Sequence, residues 1–311
     1  MRILLTGPGG FLGRALTRYW AKAGHTLWLL ARPTTQLHYL DGLLPAVRVL
    51  RAADPEEVAA AVCEAAPEAI VHTAGSYGRK DETPLDLIKN NLTLGITLIQ
   101  AALNGLVRSE GPVSFLNTGT GLDPCVSLYA LSKTQFSTWG SALAMQAPER
   151  LRFINIRLQH MYGQDHDRSK FTTNVFEACL RNEERLLLTP GEQLRDFIHV
   201  DDVVRAYDKI LERRNGFACT DTIDVGSGEA ITIRRFVEMV KEISGASTEL
   251  DFGALPYRAN EAMLCVADTS RLYNIGWRLE KKIADGIDEL ISAQCRENTI
   301  EANYKFLKKD N

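Results

Sequence analysis

A parallel-sheet α/β fold is predicted for this 311-residue chain by three observations. Short apolar runs alternate with longer helical patterns through the first half, the mark of repeated βαβ units. A glycine-rich stretch, TGPGGFLG at 6–13, sits between the first apolar run and the first helical pattern. After about residue 160 the alternation breaks down and loops lengthen, as in a smaller appended unit.

The elements follow in order. Residues 2–5 read as the first strand. Phe11, Leu12, Ala15, Leu16, Tyr19 and Trp20 then recur at three- and four-residue spacing, so a helix follows, stopped by Gly24. Strands are expected at 26–31 and 46–50, an alanine-rich helix at 55–66, and further strands at 69–73 and 113–117. Helices at 86–107 and 128–146 are apolar on more than one face. Such faces need burial, part of it against a second copy, so a homodimer is expected. In the later part, 222–225 is a strand, 226–228 a turn, Thr232 an N-cap for a helix at 233–243, and 285–309 a closing helix.

Composition excludes several classes. The chain is 45% hydrophobic and 24% charged with net charge −3, average for a soluble globular protein. Without a basic excess or an arginine stripe, nucleic acid is not an expected partner. The apolar runs are too short to span a bilayer, and no export leader is evident, so a cytoplasmic protein is expected. Six scattered cysteines without Cys-x-x-Cys read as reduced and structural, and the six histidines show no metal-ligand spacing.

The glycines at 7, 10 and 13 lie where a tight turn lets backbone approach a pyrophosphate resting on a helix N-terminus. Gly7, Gly10, Phe11, Leu12 and Gly13 are therefore candidate dinucleotide contacts. The second strand ends LLARPTT, with no acid for an adenosine ribose. Arg32 stands there instead, a cation suited to a 2′-phosphate, so NADPH is expected over NADH.

Two stretches share the spacing Tyr-x-x-x-Lys: YALSK at 129–133 and YKFLK at 304–308. The first follows the fifth strand and opens a helix, which puts Tyr129 and Lys133 on one face. A lysine charge so placed is expected to lower the phenol's pKa and let it exchange a proton near neutrality. Thr120, with Thr118 in reserve, supplies a hydroxyl at the preceding strand end, NTGTG. The second copy lies in a basic tail without glycine turn, strand end or hydroxyl, and reads as a surface repeat.

Together the glycine turn, strand-end hydroxyls and YALSK resemble the extended short-chain dehydrogenase/reductase family, of NAD-dependent epimerase/dehydratase type, acting on nucleotide sugars. VHTAG (71–75), NNL (90–92), RLQHMYG (157–163), RDFIHVDDVVRAY (195–207), DVGSGEAITI (224–233) and 257–277 extend the likeness over essentially the whole chain. The resemblance implies a Rossmann domain at 1–160, rejoined by 196–214, and a smaller α/β substrate domain at 161–311. It adds Thr73, Ala74 and Asn91, with Asp54 in the third-strand loop, as cofactor contacts. Arg195 and Arg258 would grip the substrate pyrophosphate, with Lys170 facing the nucleotide. His160 stands where epimerases and dehydratases usually show Asn.

Dehydratases of the family the chain resembles carry an Asp-Glu pair after the strand-end threonine; here Gly119 and Thr120 follow Thr118, so the resemblance implies no dehydration. A closer resemblance to CDP-abequose synthase-like 4-ketoreductases rests on FLNTGT (115–120), RLQHMYG, 191–207 and 252–263. It implies NADPH-dependent reduction of a nucleotide-diphosphate 4-keto-6-deoxyhexose in deoxysugar or glycoconjugate biosynthesis. The alternatives are a nucleotide-sugar 4-epimerase retaining NAD⁺ and, more remotely, a non-enzymatic dinucleotide sensor.

Overall fold

A computed structural model describes residues 1–40, 42–43, 47–79, 81–104, 111–165 and 167–307; from 295 onward it covers the backbone and the Arg296 side chain. The alternation produces β1 (Arg2–Thr6), α1 (Phe11–Lys22), β2 (Thr26–Ala31), β3 (Val47–Arg51), α2 (Pro55–Ala65) and β4 (Ala69–His72). Then come α3 (Pro84–Ile88), α4 (Leu94–Leu103), β5 (Val113–Thr120), α5 (Leu128–Gln146) and β6 (Leu151–Leu158). The later part contains β7 (His160–Tyr162), α6 (Phe171–Leu180), β8 (Arg185–Leu188), β9 (Leu194–His199), α7 (Val200–Glu212) and β10 (Thr220–Val225). It closes with β11 (Ala230–Thr232), α8 (Ile233–Ser244), β12 (Glu249–Phe252), β13 (Leu264–Cys265), α9 (Ser270–Asn274) and α10 (Ile283–Leu307).

Among the described residues the main sheet has seven parallel strands in the order β10-β6-β5-β4-β1-β2-β3. Both faces are covered, which is why the strands read as continuous apolar runs. Leu16 and Trp20 of α1 and Val203, Tyr207 and Ile210 of α7 pack with Ile3 and Leu5 on one side. Val62 of α2, Leu98 of α4 and Phe136 of α5 pack with Leu4, Ile70 and Phe115 on the other. This is the doubly wound Rossmann arrangement. Chain order reverses between β1 and β4, so a crevice opens at their C-terminal ends.

Three features differ from the sequence reading. The fifth strand runs on to Thr120, because its pairing with β6 continues to Thr120 opposite Leu158. The strand expected at 222–225 is observed at Thr220–Val225 and forms the edge of the large sheet, since α7 carries the chain back to it. The helix expected at 86–107 is α3 and α4 joined by a π-helical turn, Lys89–Thr93; residues 105–107 lie outside the described residues. Thr232 caps α8 as expected, its hydroxyl accepting the Arg235 amide at 3.0 Å.

A smaller sheet joins β11, β9 and β13, with β7 also paired to β9. Around it Phe176, Phe197, Phe236, Val237 and Ile287 form a separate core. The five cysteines with described side chains are free. No helix among the described residues is long and apolar enough to cross a membrane.

Candidate active site

The glycine turn is built by backbone packing. Gly7 has φ +71°, and a Cβ there would come within 2.7 Å of the Ala74 amide. A Cβ on Gly13 would run into the Gly7 carbonyl. Gly10 caps α1 in extended conformation, and Phe11 and Leu12 are buried in the first helical turn. Thr73 donates to the Thr6 carbonyl at 2.8 Å, fixing the end of β4 against the turn. A cradle that any side chain would fill, opening on a helix N-terminus, suits the pyrophosphate of a dinucleotide. Asp54 caps α2, accepting the Glu57 amide at 2.8 Å. Arg32 is exposed and has no acceptor among the described residues. Its loop is shaped by Arg51, which donates to the carbonyls of Arg32, Pro33 and Thr35.

Tyr129 is set by local capping. Asp123 accepts the Cys125 amide at 2.8 Å, and Ser127 caps α5 by accepting the Ala130 amide at 3.1 Å. Tyr129 thus falls in the first turn and Lys133 one turn on. The helix is pinned to the sheet through Ser137, which donates to Asn155 at 2.9 Å and accepts from Asn117 at 3.3 Å. The π-turn aims Asn91 inward. Its amide takes the Ser76 N–H at 2.7 Å and donates to Ser132 at 2.9 Å, tying the loop after β4 to α5. Asn91 is fully buried in this bracket. The two threonines also separate. Thr118 shares a 2.7 Å hydrogen bond with Tyr207 of α7, whereas Thr120 receives only the Leu122 amide at 3.2 Å. Thr120 is therefore the less committed hydroxyl.

The expected lowering of the Tyr129 phenol by Lys133 is corrected here. Burial raises that phenol well above its ordinary value, and Tyr77 adds to the rise. Arg79, not Lys133, is the cation that opposes it. Lys133 is only 4% exposed, and burial pulls its ammonium down to about 8. It lies beside Gly75 and bears on His72, which is held neutral with a pKa of about 3 chiefly by burial.

At the other end of the cleft, cations converge on His160. Burial lowers this imidazole to about 4, with Arg195, Arg258 and Arg79 pressing in the same direction. Its Nδ1 is buried without a partner among the described residues, and the ring stands edge-on to Phe197 at 5.8 Å. Arg195, 3% exposed, pairs with Glu261. The Arg258 guanidinium is exposed and takes no acceptor among the described residues. Lys170 is drawn elsewhere: it pairs with Asp165 at 2.6 Å and lies over the Phe11 ring.

The match of residues 3–226 to the model of the NAD dependent epimerase/dehydratase family decides the assignment. The chain belongs to that family. As a member it is an NAD(P)-dependent oxidoreductase of the extended short-chain type. A CDP-abequose synthase of Salmonella muenchen is 31% identical over 94% of this chain and 97% of that protein. A CDP-abequose synthase of Salmonella typhimurium is 28% identical over 93% and 97%. In fold, it is similar to the UDP-glucose 4-epimerase of Thermus thermophilus in complex with NAD. That match has a TM-score of 0.79 at 23% identity and covers 94% of this chain and 98% of that one.

Three residues in contact with these groups escaped the sequence reading: Tyr77, Arg79 and Glu261. Tyr77 stacks on Tyr129 with centroids 4.8 Å apart, and Arg79 lies over Tyr77 at 5.0 Å. Their only signal was an aromatic and a cation in the loop after the fourth strand. Tyr304 of the second motif has a side chain outside the described residues, as does Lys308 altogether.

Proposed function

We propose that this protein reduces the C4 ketone of a nucleotide-diphosphate 4-keto-6-deoxyhexose with NADPH, as a CDP-abequose synthase-like 4-ketoreductase. The observation that carries this reading is one cleft with a hydroxyl, phenol and ammonium at one end and an imidazole ringed by guanidinium groups at the other. The first set suits a ketone, the second a pyrophosphate. The likeness to the Salmonella enzymes, spread over nearly the whole chain, supports the substrate class.

In this reading the dinucleotide is held by Gly7, Gly10, Phe11, Leu12 and Gly13, with Thr73 and Ala74 bordering the turn, and supplies hydride when bound. The protein's own groups do the rest. Tyr129 gives its proton to the developing alkoxide, which suits a phenol that burial keeps protonated. Thr120 donates a hydrogen bond to the same oxygen. Lys133 offers an ammonium, without an acceptor among the described residues, to the nicotinamide ribose. Arg195 and Arg258 take the substrate phosphates, with His160 between them and the sugar. Arg32 on its braced loop meets a 2′-phosphate, which favours NADPH. The substrate side is formed by 161–311 apart from the segment that rejoins the large sheet.

A second copy is the proposed cover for α3 and α5. Leu128, Leu131 and Trp139 recur along α5 yet stay exposed, Trp139 at 54%, beside Leu85 at 75%. Sedimentation at increasing concentration reads this directly.

The test of function is a panel of CDP-, dTDP- and GDP-4-keto-6-deoxyhexoses supplied with NADPH, with products identified by NMR. Consumption of NADPH with formation of the 4-hydroxy sugar supports the proposal. Protein that purifies with NAD bound and interconverts unmodified UDP- or GDP-hexoses overturns it in favour of an epimerase.

A further inference from the structure

Residues 73–79 and 81–83 lie between β4 and α3. From this loop Tyr77 lays its ring on Tyr129, centroids 4.8 Å apart and planes 30° off parallel. Tyr77 nonetheless remains 44% exposed. Arg79 sits 5.0 Å from the Tyr77 centroid and donates to the Ser169 carbonyl at 2.6 Å. Ser169 lies just before α6, which packs in the core of the smaller sheet. The root of the loop is fixed as well, since Ser76 is bracketed by Asn91 and hydrogen-bonded to Glu82. A loop anchored at its root and at Arg79 thus spans from the large sheet to the substrate side.

We propose that Tyr77 and Arg79 are positioning residues for the reductive step: Arg79, anchored on Ser169, holds Tyr77 against Tyr129 and so fixes the donor phenol over the substrate ketone. This deepens the reductase reading and rests on its assignment of Tyr129. A planar guanidinium suits both contacts, since its face meets a ring while its edge donates to a carbonyl. Among the described residues, Tyr77 is the one side chain whose hydrogen bonding bears on the Tyr129 hydroxyl.

Charge points the same way. Among the described residues the groups bearing on Tyr129 are Tyr77 and Arg79 from this loop and Tyr207 from α7, with Arg79 the one cation. Lys133, on Tyr129's own helix, is turned toward Gly75 and His72. Arg79 also bears on His160, so one guanidinium lies within electrostatic reach of both ends of the cleft. Engagement of an anionic substrate beside His160 would then be felt at the phenol through Arg79.

The test uses the full chain with Arg79→Met, Arg79→Lys and Tyr77→Ala. Ultraviolet titration of tyrosinate, taken as the difference from Tyr129→Phe, reads the Tyr129 phenol without any substrate. Loss of the Arg79 charge is expected to raise that titration by about one unit, and Arg79→Lys to restore most of it. With an active ketosugar, Arg79→Met and Tyr77→Ala are expected to lower kcat roughly tenfold with KM changed less than about twofold. NADPH affinity, read by fluorescence, is expected to stay at the parent value, which also reports an intact fold. An unmoved tyrosinate titration in Arg79→Met, or a rise in KM with kcat preserved, overturns the proposal. Should the unaltered chain reduce no ketosugar, the function proposed above fails, while the titration still decides the coupling of Arg79 to Tyr129.

Discussion

The two ends of the cleft are made from different materials. The proposed dinucleotide end is largely backbone: a glycine turn in which a Cβ on Gly7, Gly9 or Gly13 would come within 3.0 Å of a neighbour. The far end is side chain: His160 from β7, Arg195 from β9, Arg258 from a surface loop and Arg79 from the loop after β4. The first is rigid because backbone packs on backbone. The second depends on charges brought together by four separate segments and balanced by Glu261. A backbone site tolerates almost no added atom, whereas a side-chain site can lose one member and keep part of its affinity.

That contrast can be broken by experiment. The largest effect is expected at the reacting phenol. Tyr129→Phe should lose about a thousandfold in kcat while still binding NADPH, and Tyr304→Phe should leave turnover unchanged. Steady-state kinetics with a fluorescence titration separates the two quantities. Gly13→Ala comes next, because its methyl group would meet the Gly7 carbonyl. Overpacking of about 1–3 kcal/mol should appear as lost NADPH affinity, measured calorimetrically. At the other end, Arg195→Met removes one of several cations. KM for the sugar nucleotide should rise about 10- to 100-fold, with cofactor affinity intact.

A smaller effect concerns Lys133. Its folded pKa of about 8 lies below the ordinary 10.5. Between those values the unfolded chain keeps a proton that the folded chain has released, so stability rises with pH across that window. Below about pH 8 both states are charged and burial of the ammonium costs its full amount. Lys133→Met should therefore be more stable at neutral pH, by at most about 3 kcal/mol, and should lack the alkaline rise in urea titrations. Least in free energy is the cofactor preference: Arg32→Glu should reduce selectivity for NADPH over NADH about tenfold or more. An unchanged ratio would falsify the role given to Arg32.

Much of this was legible in the chain. The helix 128–146 was bounded as observed, because Ser127 caps its start and its apolar spacing runs unbroken. The glycine turn was legible because strand, turn and helix are contiguous. The sequence pattern did not foretell the π-turn at Lys89–Thr93, since the helical apolar spacing of 86–107 passes through it unmarked.

What the sequence by itself determined was the local order: strands, helices, the turn and the pairing of Tyr129 with Lys133 on one helical face. Tertiary structure decided which groups act on one another. It gave Thr118 to Tyr207, Lys170 to Asp165 and Arg195 to Glu261, and it turned Lys133 toward His72 while placing Arg79 near Tyr129. The physical reason is range. Hydrogen-bonded turns and helical periodicity act over a few residues, whereas burial and charge act through space among segments the chain brings together only when folded.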